Sequence, residues 1–213
     1  MKKEKRAKIF SLKNPAWILF IYMIFVLIIT YIGAYYIDVW FFEVIIGFIG
    51  ITILLLTSNR FRFSNFIYVM VGIHFLVLAI GGHYSYAEMP LFDWLKDMFN
   101  LQRNYDRVGH FMQGFVPALI ARELILRKSK LEKGKILGFL VVFSMLGLAA
   151  FYEFIEWWMV IFVYPTQGIA WLGMQGDIWD AHQDMFMAFT GAILALLFLS
   201  KIHDRSIEKV KKS

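Results

Sequence analysis

Asp106 and His110 stand four residues apart, Glu153 and Glu156 three apart, and Asp177, Asp180 and Asp184 step by three and then four. On helices each set shares one face. All lie at the ends of apolar runs, with His83, Tyr84 and Glu88 at the end of another. A charged side chain in or beside hydrocarbon costs several kcal/mol, about 2.5–3.5 on insertion scales. A cluster of them calls for a cation, a proton or a polar substrate. Helix bundles build carboxylate–histidine metal sites from short-spaced pairs on facing helices. The reading is therefore a divalent-metal site with His83, Asp106, His110, Glu153 and Asp184 as ligands. Glu156 or Asp180 serves as general base, Arg107 holds an anionic group, and Glu88, Asp177 and Tyr84 complete the surroundings. Hard oxygen and imidazole donors suit Zn²⁺, Mn²⁺ or Mg²⁺. Such an ion turns bound water into a nucleophile or polarises a phosphoryl or carbonyl oxygen.

Each residue also has a plainer explanation. An Asp and a His near a helix start can serve as cap and interfacial hydrogen bond. Asp177 and Asp180 can be solvated, Asp180 as a helix N-cap. Glu153, inside Phe-Tyr-Glu-Phe-Ile-Glu-Trp-Trp, has no such alternative, because a lone carboxylate there must be neutralised. Acids also outnumber the local bases Arg103 and Arg107, which argues against simple ion pairing. His74, mid-run among Ile, Phe and Leu, reads as an interhelical hydrogen-bonding residue. His83 and Tyr84 follow Gly81-Gly82, where a helix can end. His182 can point to water, and His203 belongs to the basic tail.

The elements that position these residues are membrane spans. Hydrophobic residues make up 60% of the 213-residue chain, aromatic residues 18%, and the mean hydropathy is +0.61. The fold class is all-α, a polytopic membrane helix bundle of about six transmembrane helices. The runs are Ala16–Ile37, Val39–Leu56, Phe66–Gly82, Val108–Leu126, Ile136–Val163 and Met185–Leu199. The first is too long for a signal-peptide core and reads as a retained anchor. The absence of cysteine excludes disulfides, thiolate metal sites and cysteine nucleophiles.

Lys and Arg set the orientation. They crowd before the first run, between the second and third, between the fourth and fifth, and after the sixth, whereas the alternate loops hold Lys96, Arg103 and Arg107. Both termini are therefore expected in the cytoplasm. The net charge of +6 is explained by flanks beside anionic lipid rather than by nucleic acid. Arg122 and Glu123 read as cytoplasmic interface residues. The outward segment, about 88–104, alternates Leu91, Phe92, Leu95, Met98 and Phe99 with Asp93, Lys96, Asp97 and Asn100 at helical spacing. It suits an amphipathic helix in the interface, or a capping helix over the bundle. No repeat or soluble module is evident, so residues 1–213 read as a single membrane domain, with basic tails at about 1–14 and 201–213.

Several stretches carry a resemblance. They are Gly82-His83-Tyr84-Ser85-Tyr86-Ala87-Glu88 with Pro90, Tyr105-Asp106-Arg107-Val108-Gly109-His110-Phe111, Gln113-Gly114-Phe115-Val116-Pro117-Ala118, Tyr152 to Trp158, and Gln175-Gly176-Asp177-Ile178-Trp179-Asp180. With Asp184-Met185, Gly191-Ala192 and His203-Asp204-Arg205, they resemble the YjdF-like bacterial inner-membrane proteins from about His74 to Arg205. That family usually shows Thr before the Gln-Gly-Asp run, where this chain has Met174, and Thr-Gln-Trp where it has Ala181-His182-Gln183. His182 is thus a weak candidate for a family-wide role. The order Asp106-Arg107, His110-Phe111, Glu153, Asp180 and Asp184 is also similar to the VanZ-like membrane proteins, with Asp184 where Asn is usual. That similarity implies an envelope-side role and names no reaction.

The function expected is a metal-dependent, hydrolase-type membrane enzyme acting on a lipid-linked or envelope substrate at the outer face of a bacterial plasma membrane. The alternatives are a proton- or cation-coupled transporter and a ligand-binding sensor. Expected partners are membrane lipids and a small-molecule or lipid-linked substrate, with a homo-oligomer open and no nucleic acid. No serine elbow, phosphate-binding glycine loop or nucleotide fingerprint sharpens the choice.

Overall fold

A computed structural model describes residues 13–86, 88–99, 105–162 and 178–211, apart from the side chains of Lys96, Phe99 and Lys211. Among these residues there are seven helices and no strand: α1 (Pro15–Tyr31), α2 (Ile37–Thr57), α3 (Asn65–Tyr84), α4 (Pro90–Phe99), α5 (Tyr105–Lys128), α6 (Lys135–Phe162) and α7 (Asp180–Lys211). By length and composition α2, α3, α6 and α7 can each cross a membrane, and α1 is a shorter apolar helix. The 24-residue α5, which carries Arg122 and Glu123 inside its apolar stretch, is not in that group. The chain divides into two compact units, Met1–His83 with His203–Ser213, and Tyr84–Ile202.

In the first unit α1 buries Ala16, Leu19, Met23, Val26 and Thr30, the three-and-four spacing of a single helical stripe. Its N-cap Asn14 accepts from the Ala16 N–H at 3.1 Å and donates to Ser58 Oγ at 2.9 Å, which ties the start of α1 to the end of α2. The helix stops at Tyr31, earlier than the apolar run to Ile37, because Ile32 is extended and Gly33 takes φ +76°. That left-handed turn needs a glycine. The last-turn carbonyl of Thr30 is bonded by His83 Nδ1 at 2.8 Å, while Trp40 Nε1 donates to Thr30 Oγ1 at 3.0 Å. Orphan carbonyls at a helix end need such partners.

The Gly81-Gly82 pair does not end α3, which runs on to Tyr84. Gly82 instead lets α2 come close: a Cβ there would stand 3.1 Å from the Trp40 Cα. Among the described residues other than glycine, positive φ occurs at Ser85 (60°) and Tyr86 (51°), directly after the helix. The described part of the basic tail is helical. His203 is fully buried with its ring 5.6 Å from Phe66, and Ser206 Oγ accepts from the Phe66 N–H at 3.3 Å, capping the start of α3.

In the second unit α5 packs along α6, and α7 crosses α5 at a contact made of small residues. A methyl group at Gly114 would overlap the Ala188 backbone, and one at Gly191 would overlap the Phe111 carbonyl. Ala188, Ala192 and Ala195 are fully buried on α7. Small residues at helix crossings let backbones approach closely, and membrane helices favour this mode because hydrocarbon supplies no hydrophobic drive for their association. Pro117 lies one turn beyond Gln113 in α5, and having no N–H it leaves the Gln113 carbonyl without its helical bond.

Candidate metal centre

Three helices of the second unit converge on His110. Asp106 and His110 share a face of α5 at the expected four-residue step, and α7 begins at Asp180, early enough to carry Asp184 on its buried side. His110 Nε2 lies 3.6 Å from Asp106 Oδ1 and 4.0 Å from Asp184 Oδ2. One ligand atom from each residue falls within 4.8 Å of the others, and both His110 and Asp184 are buried. Small side-chain rotations bring such donors to the roughly 2.0–2.2 Å bonds of Zn²⁺ or Mg²⁺.

The other face of the imidazole is occupied differently. His110 Nδ1 lies 3.0 Å from Gln113 Oε1 and 4.0 Å from Glu153 Oε1 on α6. An amide oxygen only accepts, so the ring donates from Nδ1 to Gln113, and Nε2 is the nitrogen that faces Asp106 and Asp184. Two carboxylates around one ring nitrogen call for a cation or a proton between them. The Glu153 side chain is one-tenth exposed, and its buried Oε1 has no hydrogen-bond partner among the described residues. Asp106, Asp180 and Asp184 are near enough to act on it electrostatically. The ring of Tyr152 packs edge-on to His110 at 5.8 Å.

Around this centre, Arg107 donates to Gln183 Oε1, bridging α5 and α7. Glu156 is half-buried one turn along α6, and Asp180 is half-buried at the start of α7. Glu88 is exposed in the turn before α4, and Tyr84 is the half-buried last residue of α3. His83 belongs to the first unit. Asp177 and Arg103 lie outside the described residues. His182 is exposed and packs on the Trp179 ring at 5.4 Å. The buried Nε2 of His74, expected to hydrogen-bond between helices, has no partner among the described residues. The reading of Arg122 and Glu123 also changes. Glu123 is fully buried and accepts from Arg127 Nη1 at 2.6 Å, and Arg122 is nearly buried. Their place beside a basic loop masked this burial. Gln113 and Gln183 carry no charge signature in the sequence, because each is a neutral amide.

The helices and the cluster together define an all-helical integral membrane protein with a buried histidine–carboxylate centre. The chain belongs to the family described as Predicted membrane protein (DUF2238), whose model matches residues 15–205. It is similar to the inner membrane protein YjdF of Escherichia coli (strain K12), 38% identical over 186 residues that cover 86% of this chain and 88% of that protein. No solved structure matches.

Proposed function

We propose that Asp106, His110 and Asp184 bind a divalent metal ion, and that the protein is a metal-dependent hydrolase acting on a lipid-linked or envelope substrate at the outer face. The observation that carries this reading is the partition of the His110 ring. One nitrogen is held by Gln113 and faces Glu153, while the other faces two carboxylates. Metal-ligating histidines characteristically have their second nitrogen fixed by an oxygen acceptor. A bound ion supplies an activated water or a polarised oxygen. Gln113 holds the ring with Glu153 beside it, Arg107 binds an anionic group of the substrate, and Asp180 or Glu156 takes the proton.

The test is elemental analysis of detergent-purified protein. About one equivalent of metal is expected in the wild type and none in His110→Ala or Asp184→Asn. Metal-free wild type after soaking with Zn²⁺, Mn²⁺ and Mg²⁺ overturns the reading.

A second reading, proton- or cation-coupled transport, is favoured by one observation. Glu123 and Arg122 are buried on the same helix as His110, about 20 Å along it at the α-helical rise. Buried ionisable groups within membrane helices mark ion pathways. Cation uptake into proteoliposomes that is abolished by both Asp106→Asn and Glu123→Gln establishes this reading over the first. A metalloprotein without uptake removes it.

A further inference from the structure

Helix α4 presents three faces. Leu91, Trp94 and Met98 are about half exposed, at 54%, 54% and 53%. At about 100° per residue they fall within a single arc of roughly 60°. Phe92 and Leu95, on the adjoining arc, are half-buried. The Phe92 ring meets the buried Tyr105 edge-on at 5.6 Å, and Tyr105 in turn packs on Tyr86 at 5.6 Å. Asp93 and Asp97 are exposed on the remaining side. A helix in bulk water needs two faces, one buried and one polar. A third face that is apolar and uncovered calls for a third medium.

We infer that α4 lies flat on the outer membrane–water boundary, with Leu91, Trp94 and Met98 in lipid, Phe92 on the protein and Asp93 and Asp97 in water. The membrane is the occupant that the surroundings favour. α4 follows closely on α3, a helix able to cross the bilayer, and precedes α5, which packs along another. Trp is the side chain best suited to the headgroup level. The sequence of α4 holds Asp93 and Asp97 against Lys96, so Coulomb attraction to anionic lipid cannot hold it there and apolar burial must. Docking is therefore independent of lipid charge. Ser85 and Tyr86 are left-handed, and the Tyr86 ring seats on Gly109, where a Cβ would approach it to 3.0 Å. The inference stands apart from the metal centre, since it needs neither metal nor turnover.

The native chain has no cysteine, so single-cysteine variants can be spin-labelled directly. Leu91→Cys, Trp94→Cys, Met98→Cys, Asp93→Cys and Asp97→Cys would be reconstituted as full-length protein in phosphatidylcholine vesicles, with and without phosphatidylglycerol. Collision with oxygen and with a water-soluble nickel chelate then reads depth. Labels at 91, 94 and 98 are expected about 5–10 Å below the phosphates in both vesicle types, and labels at 93 and 97 in water. Equal nickel access at all five positions overturns the inference. So does shielding of 91, 94 and 98 from both reagents, which would mean a protein cover such as a second copy, and so does docking that requires phosphatidylglycerol.

Discussion

His110 is the residue on which the centre turns, because its two nitrogens face different chemistries. Glu153 lies 4.0 Å from Nδ1, the nitrogen turned away from Asp106 and Asp184, so its replacement is expected to weaken metal binding without abolishing it. Glu153→Gln should lower affinity about 10–100-fold, the usual cost of losing an outer-shell partner, measured by competition with a chelating dye. Affinity unchanged from wild type would detach Glu153 from the centre. His83 offers a contrast. Its Nδ1 closes the end of α1, so His83→Ala should destabilise the protein by about 1–2 kcal/mol, seen in thermal melts, while metal content is retained. Part of this was legible in the residues. The four-residue step from Asp106 to His110 and the isolation of Glu153 in an apolar run announce a polar centre. The allocation of ring nitrogens was not, because it depends on where Gln113 and α6 fall in space.

At the scale of elements, the α5–α7 crossing sets the centre's dimensions. Gly114 is one turn beyond His110, Ala188 one turn beyond Asp184, and these two positions touch through backbone. Gly114→Ala or Gly191→Ala must push the helices apart, at a cost of about 1–3 kcal/mol or more, and should lose metal as well as thermal stability. Gly138 and Gly147 of α6 meet nothing within 4 Å. Alanine at either should be neutral or stabilising by up to about 1 kcal/mol, and the same thermal melts compare all four variants. The glycine-and-alanine pattern of α7 was visible in the chain. Its partner on α5 was not, since small residues mark a close approach without saying to what. Helix limits were legible to within a few residues where composition changes sharply. They failed at Ile32, where backbone conformation rather than polarity ends α1, while the basic segment from residue 201 continues α7 as a helix with His203 and Ile207 buried.

For the whole molecule, the charge distribution carries the orientation. We propose that both termini are cytoplasmic and that the His110 centre faces the envelope, as the basic loops between the spans require. Reporter fusions at either end should be active only in the cytoplasm, and a label-accessible cysteine at residue 93 should react from the outside. Opposite sides for the two termini would mean an odd number of crossings, and α5 would be the first helix to re-examine, since it is not among the four helices long and apolar enough to cross a membrane.

The contact of Gly114 with Ala188 has a consequence for how this centre can vary. Where two main chains already touch, the interval between His110 and Asp184 has no side chain left to trim and no gap left to close. Change must come from the ligands' own reach, by exchanging Asp for the longer Glu, one methylene at a time. The adjustable quantity is thus a short ladder of discrete lengths, and any retuning of the proposed metal site toward a larger or smaller ion, by selection or by design, has to climb it in whole rungs.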